Sequence, residues 1–106
     1  MNLNELTTKI EMWAIERGLD EAEPEKQMLK LIEEVGEIAQ GMAKGNIAQV
    51  IDSVGDVYVV LVILSMQMDL NIKGCIEVAY DEIKDRKGEM VNGVFVKEED
   101  LQEVNK

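Results

Sequence analysis

The stretch from Val57 to Met68 is the most apolar in the chain, and two aspartates one helical turn apart, Asp52 and Asp56, stand at its mouth. Read as a helix, this segment has Val59, Val60 and Ile63 continuing the face of the two aspartates. Val54, Val57, Leu61 and Leu64 cover a second side, and Tyr58 with Val62 a third. A helix that is apolar nearly all round must be buried nearly all round. The segment is therefore predicted to be a central helix, with both aspartates projecting from its end into the space between helices. Asp56 fits a solvated face poorly; pairing with Lys or Arg is the structural alternative.

A second acidic word, Glu33-Glu34-Val35-Gly36-Glu37, lies upstream. On a helix its three glutamates spread over about a quarter of the circumference. Met28, Leu31, Ile32, Val35, Ile38, Ala39 and Met42 lie opposite, so a solvated acidic face explains this word on its own. Like charges beside an apolar run call for a compensating cation. With no histidine and one cysteine, the available ligands are oxygens, which suit hard cations such as Mg²⁺, Mn²⁺ or Ca²⁺ over zinc or copper.

The rest of the chain reads as helices. It has one proline, few aromatic residues and an abundance of Leu, Ile, Val, Met, Glu and Lys. The first helix is predicted from Leu3 to Arg17, stopped by Gly18, with Leu3, Leu6, Ile10, Trp13 and Ala14 on one stripe. The second runs from Pro24 to Lys44 and ends at Gly45-Asn46; the third covers Ile47 to Asp69. A fourth spans Ile72 to Lys87, with Ile72, Ile76, Ala79, Tyr80 and Ile83 as its buried stripe and Gly88 as its stop. Arg86 and Lys87 follow that stripe one turn on, placed either to clamp a phosphate or to complement the helix end. Met90 to Val96 reads as extended around an Asn92-Gly93 turn, with an upstream arm short for a hairpin; Glu98 to Val104 reads as a last frayed turn.

Composition narrows the function. A 106-residue chain makes one domain, residues 1–106. A net charge of −11 disfavours nonspecific binding to nucleic acid or anionic membrane, although one nucleotide can bind where a metal reverses the local sign. Met1 to Lys9 lacks the apolar core of a signal peptide, Val57 to Met68 is short of the ~20 residues of a membrane span, and a lone Cys75 cannot form an internal disulfide. These features predict a cytoplasmic protein without a membrane partner. Cys75 is expected to be buried, the seven methionines to fill the core, and Trp13 to pack there unless it stacks on a planar base. Because three partner helices can hardly cover an all-apolar third helix, a homodimer or homotetramer is expected.

Taken together, these residues resemble the MazG-like, all-α nucleoside triphosphate pyrophosphatase superfamily. Its signature is Glu-Glu-x-x-Glu on one helix and Glu-x-x-Asp on the next. Glu33-Glu34-Val35-Gly36-Glu37 matches the first word; Ser53-Val54-Gly55-Asp56 matches the second at Asp56 and the preceding glycine. The segments Trp13 to Leu19, Lys26 to Lys30 and Ala79 to Gly88 are also similar. The resemblance implies a four-helix bundle-like protomer and Mg²⁺-dependent hydrolysis, with Mn²⁺ as the alternative, of a nucleoside or deoxynucleoside triphosphate to the monophosphate and pyrophosphate. It implies Glu34, Glu37 and Asp56 as metal ligands and Glu33 as an accessory acid. It further implies Arg86 and Lys87 as triphosphate contacts and Trp13, Gln27 and Lys30 as base or phosphate contacts. Ser53 stands where the pattern has an acid; Asp52 next door could supply the carboxylate. That departure sustains an alternative, a helical dimerisation or regulatory module of the same fold with impaired catalysis.

Overall fold

A computed structural model describes residues 1–101 of the chain. The fold is all-α with a short C-terminal hairpin: α1 Leu3–Glu16, α2 Pro24–Lys44, α3 Ile47–Gln67, α4 Ile72–Ile83, β1 Gly88–Val91 and β2 Val94–Lys97. A single 3₁₀ turn, Leu19–Glu21, joins α1 to α2, and another, Glu98–Asp100, follows β2. The predicted frayed turn thus begins as a 3₁₀ turn at Glu98, while Val104 lies outside the described residues.

The helix ends follow local chemistry. Gly18 and Gly45 take the left-handed conformation that stops α1 and α2. Pro24 opens α2, and the Asn46 side chain caps α3 by accepting a bond from the Gln49 N–H. α3 is 21 residues long and, by length and composition alone, could cross a membrane, which Val57 to Met68 counted by itself is too short to do. Within the chain it buries Ser53, Val60, Val62, Ile63 and Ser65.

Two compact units divide the chain, residues 1–72 and the segment from Lys73 onward. In the first, α3 packs along α2 and against α1. The helices α2 and α3 approach closely at Gly41, where a Cβ would lie 3.0 Å from Val50 Cγ2 and 3.2 Å from Val50 N. Tyr58 ties α3 to α1. Buried Thr7 spends its one hydroxyl proton on the Leu3 carbonyl, so the Tyr58 O–H donates to Thr7 Oγ1.

In the second unit, α4 ends four residues short of its predicted limit. One more turn of helical bonding follows (Lys84 N–H to Tyr80 O, Arg86 N–H to Ile83 O), and then the Lys87 carbonyl accepts from Glu98 N–H as the hairpin begins. Arg86 and Lys87 therefore stand on a connecting turn and not on the helix. The short upstream arm does form a hairpin because Gly88 and Glu89 extend it: Gly88 pairs with Lys97 and Val91 with Val94. Asn92 and Gly93, both at positive φ, make the tight turn. A Cβ on Gly88 would lie within van der Waals distance of the Val96 carbonyl oxygen and 2.6 Å from the Phe95 ring. Gly88→Ala is thus expected to remove amide protection from Val94 to Lys97 while the far-UV helix signal persists. Unchanged exchange at those amides would contradict the close approach.

The predicted burial fails over wide areas of the single chain. Among the described residues the buried apolar side chains are Ala14, Val60, Val62, Ile63 and Ile72. Of the α4 stripe only Ile72 is buried; Ile76, Tyr80 and Ile83 are exposed. Ile51 and Val54 of the all-apolar helix are exposed as well, as are Cys75 and most methionines. Helical periodicity identifies a face that avoids water, and among the described residues much of that face is uncovered.

Candidate metal centre

Three carboxylates converge where α2 meets α3. Glu34 and Glu37, one turn apart on α2, and Asp56 on α3 each offer an oxygen, and these oxygens all lie within 4.8 Å of one another. The close contact at Gly41 belongs to the same α2–α3 interface. Glu34 does not lie on a solvated face: it is 5% exposed, its Oε2 is buried without a hydrogen-bond partner, and its Oε1 sits 3.6 Å from the Lys30 ammonium. Half-buried Asp56 has its carboxyl pushed above the ordinary carboxylate range. Burial is the chief cause, followed by the charges of Asp52 and Glu34; Lys30 pulls the other way. Lys30, the cation beside Asp56, is ion-paired with Glu34.

Beside the acids lies a cavity of about 400 Å³, within the range of small-molecule sites. Its polar lining comes from Gln27, Lys30, Glu34 and Asp56, and its apolar lining from Trp13, Leu19, Val59, Val60 and Ile63. Trp13 is not a core residue. It is 44% exposed, forms part of the cavity wall, and carries the Arg17 guanidinium 4.3 Å from its ring centroid.

Of the sequence-predicted residues, the structure brings together Trp13, Gln27, Lys30, Glu34, Glu37 and Asp56. Glu33 is exposed and outside the three-acid group. Asp52 shares with Asp56 a groove between α1 and α3 but does not reach the α2–α3 junction where the three acids meet. It is exposed and outside that group, lines the groove with Leu3, Leu6, Ile10 and Asp56, and its charge acts on Asp56. Ser53, where the pattern calls for an acid, is 1% exposed. Arg86 and Lys87 belong to the second unit, in a cleft of about 680 Å³ that also holds Lys97 and the acids Glu82, Asp85, Glu98 and Glu99. Sequence reasoning missed Arg17 and Lys97. The i, i+4 spacing from Trp13 could have indicated the first; the second depends on the hairpin register opposite Gly88.

Residues 22–91 match the family model of the MazG nucleotide pyrophosphohydrolase domain. The chain belongs to the MazG nucleotide pyrophosphohydrolase family. The matched segment contains all three converging carboxylates, whereas Trp13 and the rest of α1 precede it. The chain is also similar to an uncharacterized 18.2 kDa protein in the rep-hol intergenic region of Haemophilus phage HP1, 45% identical over 67 residues. That likeness covers 62% of this chain and 41% of the phage protein, so the chain spans less than half the length of this relative. No solved structure matches the chain significantly. Family membership makes this fold one of nucleotide pyrophosphohydrolases, and the acidic cluster within it has the geometry of a candidate metal-binding group.

Proposed function

We propose that the chain hydrolyses a nucleoside triphosphate, deoxynucleoside forms included, to the monophosphate and pyrophosphate in a Mg²⁺-dependent reaction that clears the cytoplasmic nucleotide pool. The observation that carries this reading is the convergence of Glu34, Glu37 and Asp56 around a buried, unpartnered Glu34 oxygen at the wall of a nucleotide-sized cavity. An all-oxygen set with excess negative charge fits a hard divalent cation. Glu34, Glu37 and Asp56 would hold it; Mn²⁺ would fit the same donors. When bound, such an ion neutralises triphosphate charge and lowers the pKa of a water.

The chain's own residues supply binding and orientation. Lys30 stands beside the acids, able to exchange its contact with Glu34 for a phosphate oxygen. Trp13, backed by Arg17, offers a ring for a base to stack on, and Gln27 offers an amide in the same cavity. Glu33, or a free oxygen of one of the ligating carboxylates, is proposed to accept the water proton, and Asp52 is proposed to supply to the metal the carboxylate missing at Ser53. Arg86 and Lys87 are proposed to contact the triphosphate. The active form is a homodimer or homotetramer whose partners are its substrate and its own copies, and neither nucleic acid nor membrane.

Buried Ser53 favours one second reading, a helical dimerisation module whose centre lacks one acid. Pyrophosphate release over a panel of ribo- and deoxyribonucleoside triphosphates separates the two. Turnover is expected with Mg²⁺ or Mn²⁺, little with Ca²⁺, and none after exhaustive EDTA treatment. No release from any triphosphate with Mg²⁺, in a protein that still self-associates, would establish the second reading. Activity that survives EDTA would refute the metal dependence.

A further inference from the structure

We propose that Gln67 is a positioning residue that fixes the wall against which the nucleobase rests, and so helps set which base is accepted; the proposal rests on the pyrophosphohydrolase reading. The cavity-lining side chains of α3 are Asp56, Val59, Val60 and Ile63, and Gln67 comes one turn after Ile63. Its Nε2 donates to the Leu19 carbonyl at 2.9 Å. The same carbonyl also accepts from Ala22 N–H at 3.1 Å, the bond that closes the 3₁₀ turn. Both acceptor directions of one oxygen are thus spent on holding Leu19.

Leu19 lines the cavity with Trp13 and Ile63, and its bond to Gln67 places it toward the C-terminal end of α3, away from the acids. From Asp56 to Ile63 is roughly 10 Å along the helix, a span suited to phosphates and ribose. A triphosphate anchored at Glu34 and Asp56 would therefore present its base to Leu19, Trp13 and Ile63.

The Gln67 amide is poorly used for stability alone. Its Oε1 is buried without a partner, a desolvation cost that methionine or leucine would avoid at the same place. A group kept against a local rule of packing is expected where it serves a site. Here its donor end has one bond, and that bond fixes the position of a cavity wall. A methylene of slack in such a wall is worth about 10-fold or more in discrimination between substrates.

The test compares wild type, Gln67→Met and Leu19→Ala with purine and pyrimidine triphosphates in Mg²⁺. Gln67→Met removes the bond and keeps the volume; Leu19→Ala removes the wall and keeps the bond. Both are expected to raise KM for the preferred triphosphate about 10-fold, to hold kcat within about twofold, and to bring the purine-to-pyrimidine ratio of kcat/KM toward one. A Gln67→Met protein that melts lower but keeps KM and the base ratio would overturn the proposal alone, leaving the bond a structural clip. Should Gln67→Met fail to fold, an unchanged base ratio in Leu19→Ala overturns it equally. A wild type inactive on every triphosphate would overturn the pyrophosphohydrolase reading, and this proposal with it.

Discussion

Glu37→Gln and Asp56→Asn are each expected to cut pyrophosphate release by about 10³-fold or more, several kcal/mol of lost transition-state stabilisation, and to leave the cation-free protein equally or more heat-stable. The two effects oppose one another because the same charges serve catalysis and burden the fold. Three carboxylate oxygens lie within 4.8 Å of one another, and among the described residues Lys30 forms its ion pair with Glu34. For Asp56 the sign is set by burial and by the charges of Asp52 and Glu34, which together outweigh the pull of Lys30. A carboxyl whose folded-state pKa is raised binds more protons in the folded chain than in the unfolded one. Its contribution to stability therefore falls as pH rises from the ordinary aspartate value through the raised one. Above the raised value the full penalty is present, and Asp56→Asn removes it. The gain in melting temperature should shrink when wild type and variant are compared in the acid range, where Asp56 is protonated in both states.

Added Mg²⁺ reverses the order, because a ligand bound to the intact site stabilises only the protein that binds it. Wild type should gain heat stability with Mg²⁺, and both variants should gain little. Other arrangements give other outcomes. A solvent-facing Glu37 would change neither activity nor melting, and an Asp56 held mainly by a basic partner would lose stability on neutralisation. Melting curves with and without Mg²⁺ distinguish these cases, and lower stability in both cation-free variants would argue against a shared acidic site.

The sequence carried the helices because their ends are local events. Gly18, Pro24, Gly45 and the Asn92-Gly93 turn act through their own backbone geometry, and the structure has each in its expected role. The end of α4 was not legible, because it is decided by a bond from Glu98 to Lys87, eleven residues apart. The acidic site was legible in part. Spacing puts Asp52 and Asp56 on one face, yet only Asp56 meets Glu34 and Glu37; which part of that face is covered depends on how α2 lies against α3. For the same reason Glu34 looks solvated on its own helix and is buried in the fold. Trp13 belongs to an apolar stripe and still reaches a cavity, since periodicity does not distinguish a packed wall from an open one.

Self-association is expected to depend on the uncovered faces of α2 and α3. Met28, Ile32, Val35 and Met42 form an exposed apolar stripe on α2 at helical spacing, and Ile47, Ile51 and Val54 form another on α3. Both stripes lie in the first unit. Apolar rows of this length on a chain with so few buried apolar residues fit a second copy better than water, since a twofold axis supplies the same apolar surface in return. Sedimentation equilibrium at micromolar concentration should give at least twice the 11.9 kDa chain mass, and the melting temperature should rise with protein concentration. Ile32→Glu and Ile51→Glu are expected to shift the protein toward the monomer. Removing an isoleucine from an apolar contact costs roughly 2 kcal/mol, a buried charge adds to that, and symmetry counts each change twice; the dissociation constant should weaken by about 10³-fold or more. A wild type that sediments only at the chain mass, or glutamate variants that associate as tightly as wild type, would place the interface elsewhere or remove it.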